Sequence, residues 1–521
     1  MSLRLFHSLN KSAASGGGLI TSPAAANPTA LSWTKLADYR YLTQIDENHI
    51  HYTSNFSAGT STLTAVTGSA PVVSGGNLQV SGSCLYKSTS NPIASWMTAE
   101  MTIASMGSAG ASQKLGPAIV KDASNYLACV YDSVAQRVQI IKNGTVVRDF
   151  ARTLNPVGLK IWIVVHRYYV NMWTKEASGA IAFQAHFEST DEYVGNNIAL
   201  DFKYGVYCSQ GAATTHQVSS VRGGASGGVG IFNNRVAANE DGSPYIHEGK
   251  LLMTGDLSAQ GDQNYTYNAP NSCVFSVDLN DYSLTILTRF YFRRNSKILG
   301  GQNIKLYRMN TGNWIMTYTP VDDSGSLEGP DVYIDDLTDS EVLTNGETII
   351  NASRLKSFNI AITNIFDVNV RKVDGLWYSL WGRGFGAARP ALFVGTQIDN
   401  MVLTEEYDDG NFQELTCWAR MNNTWYYIYM GFDYLKPRVY NHPSLTLLGT
   451  IDTPVTSNNG RIPGSDWFVK QVGGTVEYYL IVFDNQELTT IDAGGNSVRW
   501  QWSLGMFEVW KANETAVGTE F

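Results

Sequence analysis

A hairpin pattern that recurs through the second half of the chain constrains its fold more than any other feature. In the clearest copy, Asp367 begins an alternating strand, Asp374-Gly375 turns the chain, and Leu376–Trp381 returns it as an aromatic-rich strand. Asp-Gly between two alternating segments is typical of a β-hairpin, because glycine readily adopts the positive φ that a tight turn requires. This segment is therefore predicted to form two neighbouring strands of an antiparallel sheet.

Degenerate copies of the same pattern begin at Asp241, Gln302, Glu414 and Asp466. The five copies start roughly 45–65 residues apart, which is the length of a four-stranded propeller blade with long loops. We therefore predict a five-bladed β-propeller in which each copy supplies the innermost strands of one blade. Arg499–Trp510 is predicted to close the ring against the first blade, because an open ring would leave sheet edges unpaired.

The chain divides into three predicted regions within an all-β fold. Residues 1–40 are rich in Ala, Ser, Gly and Pro, which predicts an extended N-terminal arm that cannot fold alone and that anchors the protein to a partner. Residues 41–225 contain short strand-like segments at the spacing of a jelly-roll sandwich. A glycine-rich linker begins residues 226–521, the predicted propeller. Deleting residues 1–40 is expected to leave both β domains folded but unable to join a larger assembly.

Charge and hydropathy narrow the function classes. The net charge of −9 disfavours nucleic acid, whose phosphates are bound by clustered Lys and Arg. No apolar run approaches the roughly 20 residues that a helix needs to span a bilayer, so membrane insertion is not expected. The N-terminus lacks the apolar core of a secretory signal, which predicts folding in the cytosol.

The five cysteines are widely spaced and include no C-x-x-C pair, which disfavours a structural zinc site. Free buried thiols are expected in a protein that folds in a reducing compartment. A disulfide among Cys84, Cys129 and Cys208 is the alternative.

No cofactor is predicted, although some acidic turns could hold Ca²⁺ instead of serving as ordinary polar turns. These turns contain Asp322-Asp323, Asp335-Asp336 and Asp408-Asp409.

The middle region resembles a known family of β-sandwiches. Its opening IDENHIHYTSNFSAG, its middle LKIWIVVHRYYVNMWTKEASG and its end FKYGVYCSQGAATTHQVSSVRGG are similar to concanavalin-A-like (laminin-G type) jelly rolls. The resemblance rests on strand order and turn placement, and it implies that the closing strand returns beside the first. It leaves open whether the domain binds sugar, binds protein or separates other domains.

A five-bladed propeller with an attached jelly roll resembles the arabinanase and fructosidase superfamily of glycoside hydrolases. In that family the innermost strands open onto a central funnel, where an Asp base, a second Asp and a Glu acid from different blades cleave the glycosidic bond. The strand-entry positions here include four acids, Asp241, Asp367, Glu414 and Asp466. The resemblance makes these the candidate catalytic residues, with Asp367 and Glu414 as the foremost pair.

Departures from the family pattern favour other interpretations of these acids. The second blade has Gln302-Asn303 where the family has its second Asp, and the Glu lies in the fourth blade instead of the third. The acids could instead accept backbone N–H groups or pair with an arginine, for which the candidates are Arg371, Arg383 and Arg461. Carbohydrate binding is the role predicted for three residues near the funnel, Trp381, Arg383 and Trp467.

An arm followed by a lectin-like sandwich and a propeller, without a secretion signal, resembles the architecture of tailed-phage tail proteins. That resemblance implies a virion protein that folds in the host cytoplasm, docks on other tail proteins through its arm and meets host surface carbohydrate. The first hypothesis is a receptor-binding protein that adheres to glycan without cutting it. A glycan depolymerase that uses the funnel acids and a purely structural virion protein are the alternatives, and the chain could also form a homo-oligomer.

Overall fold

The computed structural model consists of two β assemblies with mostly antiparallel strands, a sandwich followed by a propeller. It describes residues 33–40, 43–92, 96–166, 169–188, 201–228, 230–257, 271–294, 297–320, 331–344, 346–359, 365–383, 389–408, 413–421, 424–431, 437–450, 465–472 and 475–513. Among these residues, no helix is long and apolar enough to cross a membrane.

The sandwich is formed by β2 to β16, which make two antiparallel sheets. The first sixteen strands of the chain are β1 (Thr34–Arg40), β2 (Ile45–Ser54), β3 (Thr64–Thr67), β4 (Val72–Ser74), β5 (Asn77–Ser81), β6 (Cys84–Lys87), β7 (Trp96–Ser105), β8 (Gln113–Asp122), β9 (Asn125–Asp132), β10 (Arg137–Lys142), β11 (Thr145–Ala151), β12 (Lys160–His166), β13 (Tyr169–Lys175), β14 (Ile181–Glu188), β15 (Lys203–Gln210) and β16 (Thr215–Ser226). One sheet has the order β14-β13-β12-β7-β16-β5-β4, with β2 beside β16, and the other has the order β11-β10-β9-β8-β15-β6-β3. The closing strand β16 thus pairs with β2, whereas the specific resemblance to concanavalin-A-like jelly rolls stays a prediction.

The sandwich core follows from the alternation of apolar residues along its strands. In β12, Ile161, Ile163 and Val165 face the core between the two sheets, because successive side chains point to opposite faces of a sheet. The intervening Trp162 and Val164 are also buried, on the outer face of the same sheet. The continuous apolar sequence of β12 is therefore explained by cover on both faces.

The remaining strands form five blades around a common axis. They are β17 (Ile231–Val236), β18 (Ala238–Asn239), β19 (Ile246–His247), β20 (Lys250–Leu257), β21 (Asn271–Val277), β22 (Leu284–Arg294), β23 (Lys297–Leu299), β24 (Gln302–Arg308), β25 (Trp314–Thr319), β26 (Val332–Leu337), β27 (Gly346–Asn351), β28 (Lys356–Ser357), β29 (Ile365–Val373), β30 (Leu376–Arg383), β31 (Arg389–Gln397), β32 (Asn400–Glu406), β33 (Gln413–Met421), β34 (Thr424–Gly431), β35 (Pro437–Asn441), β36 (Thr446–Thr450), β37 (Ser465–Val472), β38 (Thr475–Ile491) and β39 (Ser497–Asn513). The innermost strands of blades one to five are β17, β24, β29, β33 and β37. A single-turn helix, α1 (Asp339–Val342), and a 3₁₀ turn (Ala352–Arg354) lie in the second blade.

The predicted all-β, five-bladed arrangement is confirmed, and four of the five repeats supply the inner strands that the sequence assigned to them. The first repeat is a correction. The inner strand of blade one is β17, which ends before Asp241, and the segment that follows Asp241 forms the connection to the second strand. Its Glu248-Gly249 turn joins β19 to β20. The sequence of this segment therefore resembles the inner hairpin of a blade, although the segment lies outside the inner strand.

The ring is closed by strands from both ends of the described chain. β39 is the third strand of blade five, and β1 adds the outermost strand by pairing Thr34 with Lys511 and Arg40 with Met506. Residues 34–40 are thus part of the propeller and not of an extended arm, which corrects the predicted boundary at residue 40. The short segment TKLADYR borders a low-complexity stretch, and an outermost strand needs little apolar surface, so its sequence carries a weak strand signal.

Blade five also packs face to face against blade one. Phe468, Tyr479 and Val509 of blade five share a buried cluster with Ile231 and Leu251 of blade one. Arg499–Trp510 therefore contributes to ring closure through packing, while its sheet edge is covered by β1.

The long hairpin formed by β38 and β39 joins the propeller to the sandwich. Beyond the blade it reaches the outer face of the sandwich, where Val498 packs against Trp162 and Trp173. The backbone N–H of Ala493 donates to the carbonyl of Gln184 at 2.8 Å. This hairpin is the cover that allows β12 to be apolar on both faces.

A buried ion pair forms a second contact between the two assemblies. Asp46 of β2 accepts hydrogen bonds from Nε and Nη2 of Arg289 in blade one at 3.0 and 2.7 Å. Its carboxylate also contacts Nδ1 of His49 at 2.8 Å, and Nε2 of His49 lies 2.9 Å from the carbonyl of Gly346. Burial opposes ionisation of Asp46, but the charges of Arg289 and His49 hold its pKa well below the usual range.

Removal of residues 1–40 is expected to destabilise the propeller, whereas removal of residues 1–32 is not. The longer deletion takes away β1 and exposes the backbone groups of β39, which form an unpaired sheet edge. The measurements are the thermal midpoint by tryptophan fluorescence and the elution volume on gel filtration, with the shorter deletion as the matched control. Equal midpoints and elution volumes for the two truncated proteins would contradict the role of β1.

Candidate functional site

The inner strands of the propeller are distorted near their first residues. The pairing register of β17, β24, β29 and β33 shifts between the inner strand and the second strand, which marks a β-bulge in each. Asn233, Asn303 and Asp367 occupy these bulges with φ values of 52, 56 and 59°. Asn and Asp tolerate this left-handed conformation better than most residues. A bulge leaves a backbone group without a partner in the ladder, so these strands need acceptors from elsewhere.

Carboxylates of neighbouring blades provide those acceptors. Oδ2 of Asp256 in blade one accepts from the backbone N–H of Asn303 in blade two at 2.6 Å. Asp331 of blade two repeats the contact on Val368 of blade three at 2.6 Å. Asp466 of blade five accepts from Val236 of blade one at 2.8 Å. Three acids around the axis therefore tie one blade to the next.

Donors from neighbouring blades serve the carbonyls of the bulges in the same way. Nζ of Lys305 in blade two donates to the carbonyls of Asp367 and Val368 in blade three, both at 2.8 Å. The hydroxyl of Thr416 in blade four donates to the carbonyl of Asp367 at 2.8 Å. Nδ2 of Asn303 donates to the carboxylate of Asp367. Asp367 is thus held by residues from both neighbouring blades.

These contacts assemble a buried charged group around the propeller axis, which we call the axial cluster. Its members are Arg235, Asp256, Lys305, Asp331, Asp367 and Asp466, and none is more than 8% exposed. Burial raises the pKa of Asp256 to about 7. Burial, and then the charge of Asp367, raise the pKa of Asp331 to about 7. Burial, and then the charge of Arg235, lower the pKa of Lys305 to about 7, against the nearby carboxylates.

The far end of the axis is covered by the connection between the first two strands of blade one. Ala238-Asn239 pairs in parallel with β24 of blade two, and Glu240 lies 3.4 Å from Lys372 of blade three. Gly242, at a φ of +83°, lies so close to Trp425 of blade four that a Cβ there would be 1.9 Å from the ring. The connection therefore covers this end of the axis. The inner strands begin at the opposite end, which we call the funnel mouth.

Several buried polar atoms near the funnel mouth are unsatisfied in the part of the chain that the structure describes. Oδ1 of Asn303, Oδ1 of Asn234, and Nε and Nη2 of Arg235 have no hydrogen-bond partner within the residues that the structure describes. A buried polar atom left unpaired costs about 1–3 kcal/mol. The first residues of the inner strands thus carry buried donors and acceptors without a partner among the described residues.

The structure places the predicted acids in different locations. Asp367 and Asp466 belong to the axial cluster, whereas Asp241 lies at the covered far end, where its Oδ1 accepts from the backbone N–H of Ser243 at 2.9 Å. Asp241 is therefore not a funnel residue, because the first repeat is displaced from the inner strand. The backbone of Glu414 lies in β33, but its side chain is outside the described residues.

The predicted carbohydrate-binding residues also change. Trp381 is fully buried between blades two and three, where it packs against Phe358 and Phe393. It cannot stack on a sugar, because the face of β30 that carries it packs against blade two. The side chains of Arg383 and Trp467 are outside the described residues.

The acidic turns that could have held Ca²⁺ are engaged in ion pairs where the structure describes them. Asp335 lies 2.7 Å from Lys356, Asp336 lies 2.8 Å from Arg354, and Asp408 lies 2.9 Å from Arg389. Asp322-Asp323 falls outside the described residues. In the described part of the chain, no group of three or more His, Cys, Asp or Glu side chains is arranged to hold a metal ion.

Sequence reasoning missed four members of the axial cluster. Arg235, Asp256, Lys305 and Asp331 carry the charges that decide the electrostatics of the funnel. The signal that could have found two of them is an isolated charge inside an apolar strand, such as Asp256 in LLMTGDL or Lys305 in NIKLY, because a buried charge is retained only with partners.

The chain matches no family model and no curated protein. Among solved structures, it is similar to the carbohydrate-binding module CBM66 from Bacillus subtilis, with 15% identity and a TM-score of 0.24 over 31% of this chain and 95% of the module. It is similar to the GH43_1 enzyme from Xanthomonas citri complexed with xylose, with 11% identity and a TM-score of 0.34 over 54% and 87%. A mannose phosphorylase from Leishmania mexicana matches at 9% identity and a TM-score of 0.32 over 55% and 83%. Similarities this low assign neither a family nor an activity.

Replacement of Asp331 by Ala is expected to destabilise the propeller by about 1–3 kcal/mol, because the backbone N–H of Val368 loses its acceptor in a buried site. Asp331→Asn is the matched control, since its amide oxygen can still accept that hydrogen bond. Chemical denaturation of both variants measures the effect. Equal loss of stability in both would show that the charge of Asp331, and not its acceptor, is what the blade contact requires.

The Asp331→Asn variant should also change how stability depends on pH. Asp331 has a pKa of about 7 in the folded protein against an ordinary value of 3.8, so the folded state holds a proton that the unfolded state releases. Stability from this group is greatest below pH 4 and falls as the pH rises to about 7. Between these pH values, the free energy of unfolding should therefore depend less on pH for Asp331→Asn than for the wild type. If this pH dependence is the same in both proteins, a group other than Asp331 causes it.

Proposed function

We propose that this protein binds a carbohydrate at the mouth of the propeller funnel and does not cleave it. The observation that carries the proposal is the identity of the residues at the equivalent bulges of the first three blades. These residues are Asn233, Asn303 and Asp367, two amides and one carboxylate. Amides donate and accept hydrogen bonds, as sugar hydroxyls require, but they do not transfer protons at neutral pH.

The other carboxylates of the axial cluster are occupied by structural contacts. Asp256, Asp331 and Asp466 each accept a backbone N–H from the next blade. Glycosidic cleavage needs one carboxyl group that donates a proton and a second that attacks or activates water. A carboxyl group that moved to serve a substrate would leave a bulged strand without its acceptor, so these residues are better suited to hold the ring than to react.

The charges near the mouth support a neutral polar ligand. Arg235, Lys305 and Arg371 are buried near four carboxyl groups, and burial shifts the pKa of both Asp256 and Asp331 toward neutral pH. Opposite charges are therefore close to balance around the axis. A strongly charged ligand would disturb that balance, whereas a polyhydroxyl ligand could use the unpaired atoms of Asn303 and Arg235.

A glycoside hydrolase is the second candidate, and one observation favours it. Asp331, with a pKa raised to about 7, lies under the influence of the Asp367 charge, which is the type of carboxyl pair that acid and base catalysis uses. In this alternative Asp331 would donate the proton and Asp367 would be the charged partner, with Glu414 of the neighbouring blade as a further acid.

We further propose that the protein is a virion-associated tail protein that meets host surface glycan. The proposal is supported by the Ala-, Ser-, Gly- and Pro-rich composition of residues 1–32, which precede the strand that completes the propeller. In this proposal, residues 1–32 dock on other tail proteins. Removal of residues 1–32 should then abolish incorporation into the virion while glycan binding persists, and normal incorporation of the truncated protein would contradict the anchoring role.

Binding can be tested with immobilised neutral polysaccharides and with host surface polysaccharide. The wild type is expected to bind at least one of them and to release no reducing ends. Asn303→Gly is expected to weaken binding about tenfold or more, because it removes an amide from the mouth. Asn143→Gly is the matched control, since Asn143 also has a positive φ, of 50°, in a turn of the sandwich.

The outcomes separate the two candidates. Release of reducing ends by the wild type, abolished in both Asp331→Asn and Asp367→Asn, would establish the hydrolase. Equal binding by Asn303→Gly and Asn143→Gly would remove the funnel mouth as the binding site. The thermal midpoints of all variants serve to exclude loss of fold as the cause.

A further inference from the structure

Two cysteines of the sandwich lie directly opposite each other on neighbouring strands. Cys84 begins β6, and the pairing register places it against Cys208 of β15 in an antiparallel ladder. Directly opposite residues in such a ladder have Cα atoms about 4.5–5.5 Å apart. A disulfide requires Cα atoms about 4.4–6.8 Å apart, so this pair meets the requirement without movement of the backbone.

The two thiols also lie on the same face of the sheet. Both side chains belong to the core between the two sheets and are 4% and 2% exposed. A hydrogen bond from Cys208 lowers the pKa of the Cys84 thiol, and the same contact raises the pKa of Cys208. The thiolate is the nucleophile in disulfide chemistry, and this contact places the two sulfur atoms side by side.

The other cysteines cannot join this pair. Cys129 lies on β9, which is separated from β15 by β8, so its distance from Cys208 is on the order of two strand spacings, about 9–10 Å. Cys273 and Cys417 lie in blades one and four of the propeller. Of the three sandwich cysteines, the register therefore selects Cys84 and Cys208.

An opening of the sheet edge would admit an oxidant to the pair. β6 is covered on its outer side by β3, a strand of four residues that ends at Thr67. The next residue, Gly68, lies against Cys84, where a Cβ would be 2.8 Å from the Cβ of the cysteine. Short edge strands with exposed side chains open at low free-energy cost, so local release of β3 exposes Cys84.

We propose that Cys84 and Cys208 form a reversible disulfide that locks the β6–β15 pair of the sandwich. The oxidant is a disulfide of the glutathione class. The Cys84 thiolate attacks one of its sulfurs and releases one thiol, which leaves a mixed disulfide on Cys84. Cys208 loses its proton, attacks the Cys84 sulfur and releases the second thiol. The two cysteines lose two electrons and two protons in total, and the oxidant is reduced to two thiols.

The bond would act on stability mainly through the unfolded state. It closes a loop of more than a hundred residues between β6 and β15, and a cross-link over a long loop removes much of the entropy of the unfolded chain. The thermal midpoint of the sandwich is therefore expected to rise by roughly 5–10 °C on oxidation. A protein folded with free thiols would gain this stability when it meets an oxidising environment.

The experiment compares the wild type after incubation with reduced or oxidised glutathione. Thiols are counted after denaturation in the presence of an alkylating agent, and the linked peptides are identified by mass spectrometry without reduction. The expected result is five thiols in the reduced protein, from its five cysteines, and the loss of two of them on oxidation, with Cys84 and Cys208 in one linked peptide pair. The midpoint rises only in the oxidised sample.

Two variants make the assignment specific. Cys208→Ser should abolish both the linked peptide and the rise in midpoint, whereas Cys129→Ser, another buried sandwich cysteine, should retain both. Five free thiols after oxidation, or linkage of any other pair, would overturn the proposal. The peptide map of the wild type decides the question even if a serine variant fails to fold.

Discussion

The propeller depends on how the backbone groups of its bulged inner strands are satisfied. A bulge frees N–H and C=O groups close to the axis, where solvent has little access, and an unpaired buried group is costly. Asp256, Asp331 and Asp466 accept the N–H groups of the next blade, and Lys305 donates to the carbonyls. The ring is consequently held by charged side chains at its centre and by apolar packing between blades further out. This division explains why so many ionisable groups are buried in a protein with few charged residues.

The sandwich and the propeller are joined by both polar and apolar contacts. Asp46 and Arg289 form a buried, hydrogen-bonded ion pair, while the hairpin of β38 and β39 covers Trp162 and Trp173 on the outer face of the sandwich. Removal of one partner of a buried pair leaves an uncompensated charge, so loss of either Asp46 or Arg289 would weaken the contact between the two assemblies. The hairpin buries apolar surface of the sandwich beneath residues that belong to the propeller.

Sequence patterns predicted the type of fold well and the chemistry of the funnel poorly. Alternation and turn residues located β24, β29, β33 and β37, because hairpin turns leave a local signal in glycine and asparagine. The inner strand β17 was missed, since IFNNRV lacks a glycine turn and its bulge interrupts the alternation. Trp381 was placed at the funnel although it packs between blades, because sequence spacing does not reveal which face of a strand a neighbouring blade covers. Asp331 precedes its strand in a connection and contacts another blade, a relation that only the assembled ring creates.

The buried charges around the propeller axis explain why the first two bulges carry amides instead of acids. Acids in place of Asn233 and Asn303 would add two carboxylates to a buried cluster in which burial has already raised the pKa of Asp256 and Asp331 to about 7. The buried cations described near the cluster are Arg235, Lys305 and Arg371, and the pKa of Lys305 is itself lowered to about 7. Further acids would therefore be protonated or would weaken the ring. Asn keeps the positive φ and the hydrogen-bonding capacity of the bulge without adding charge.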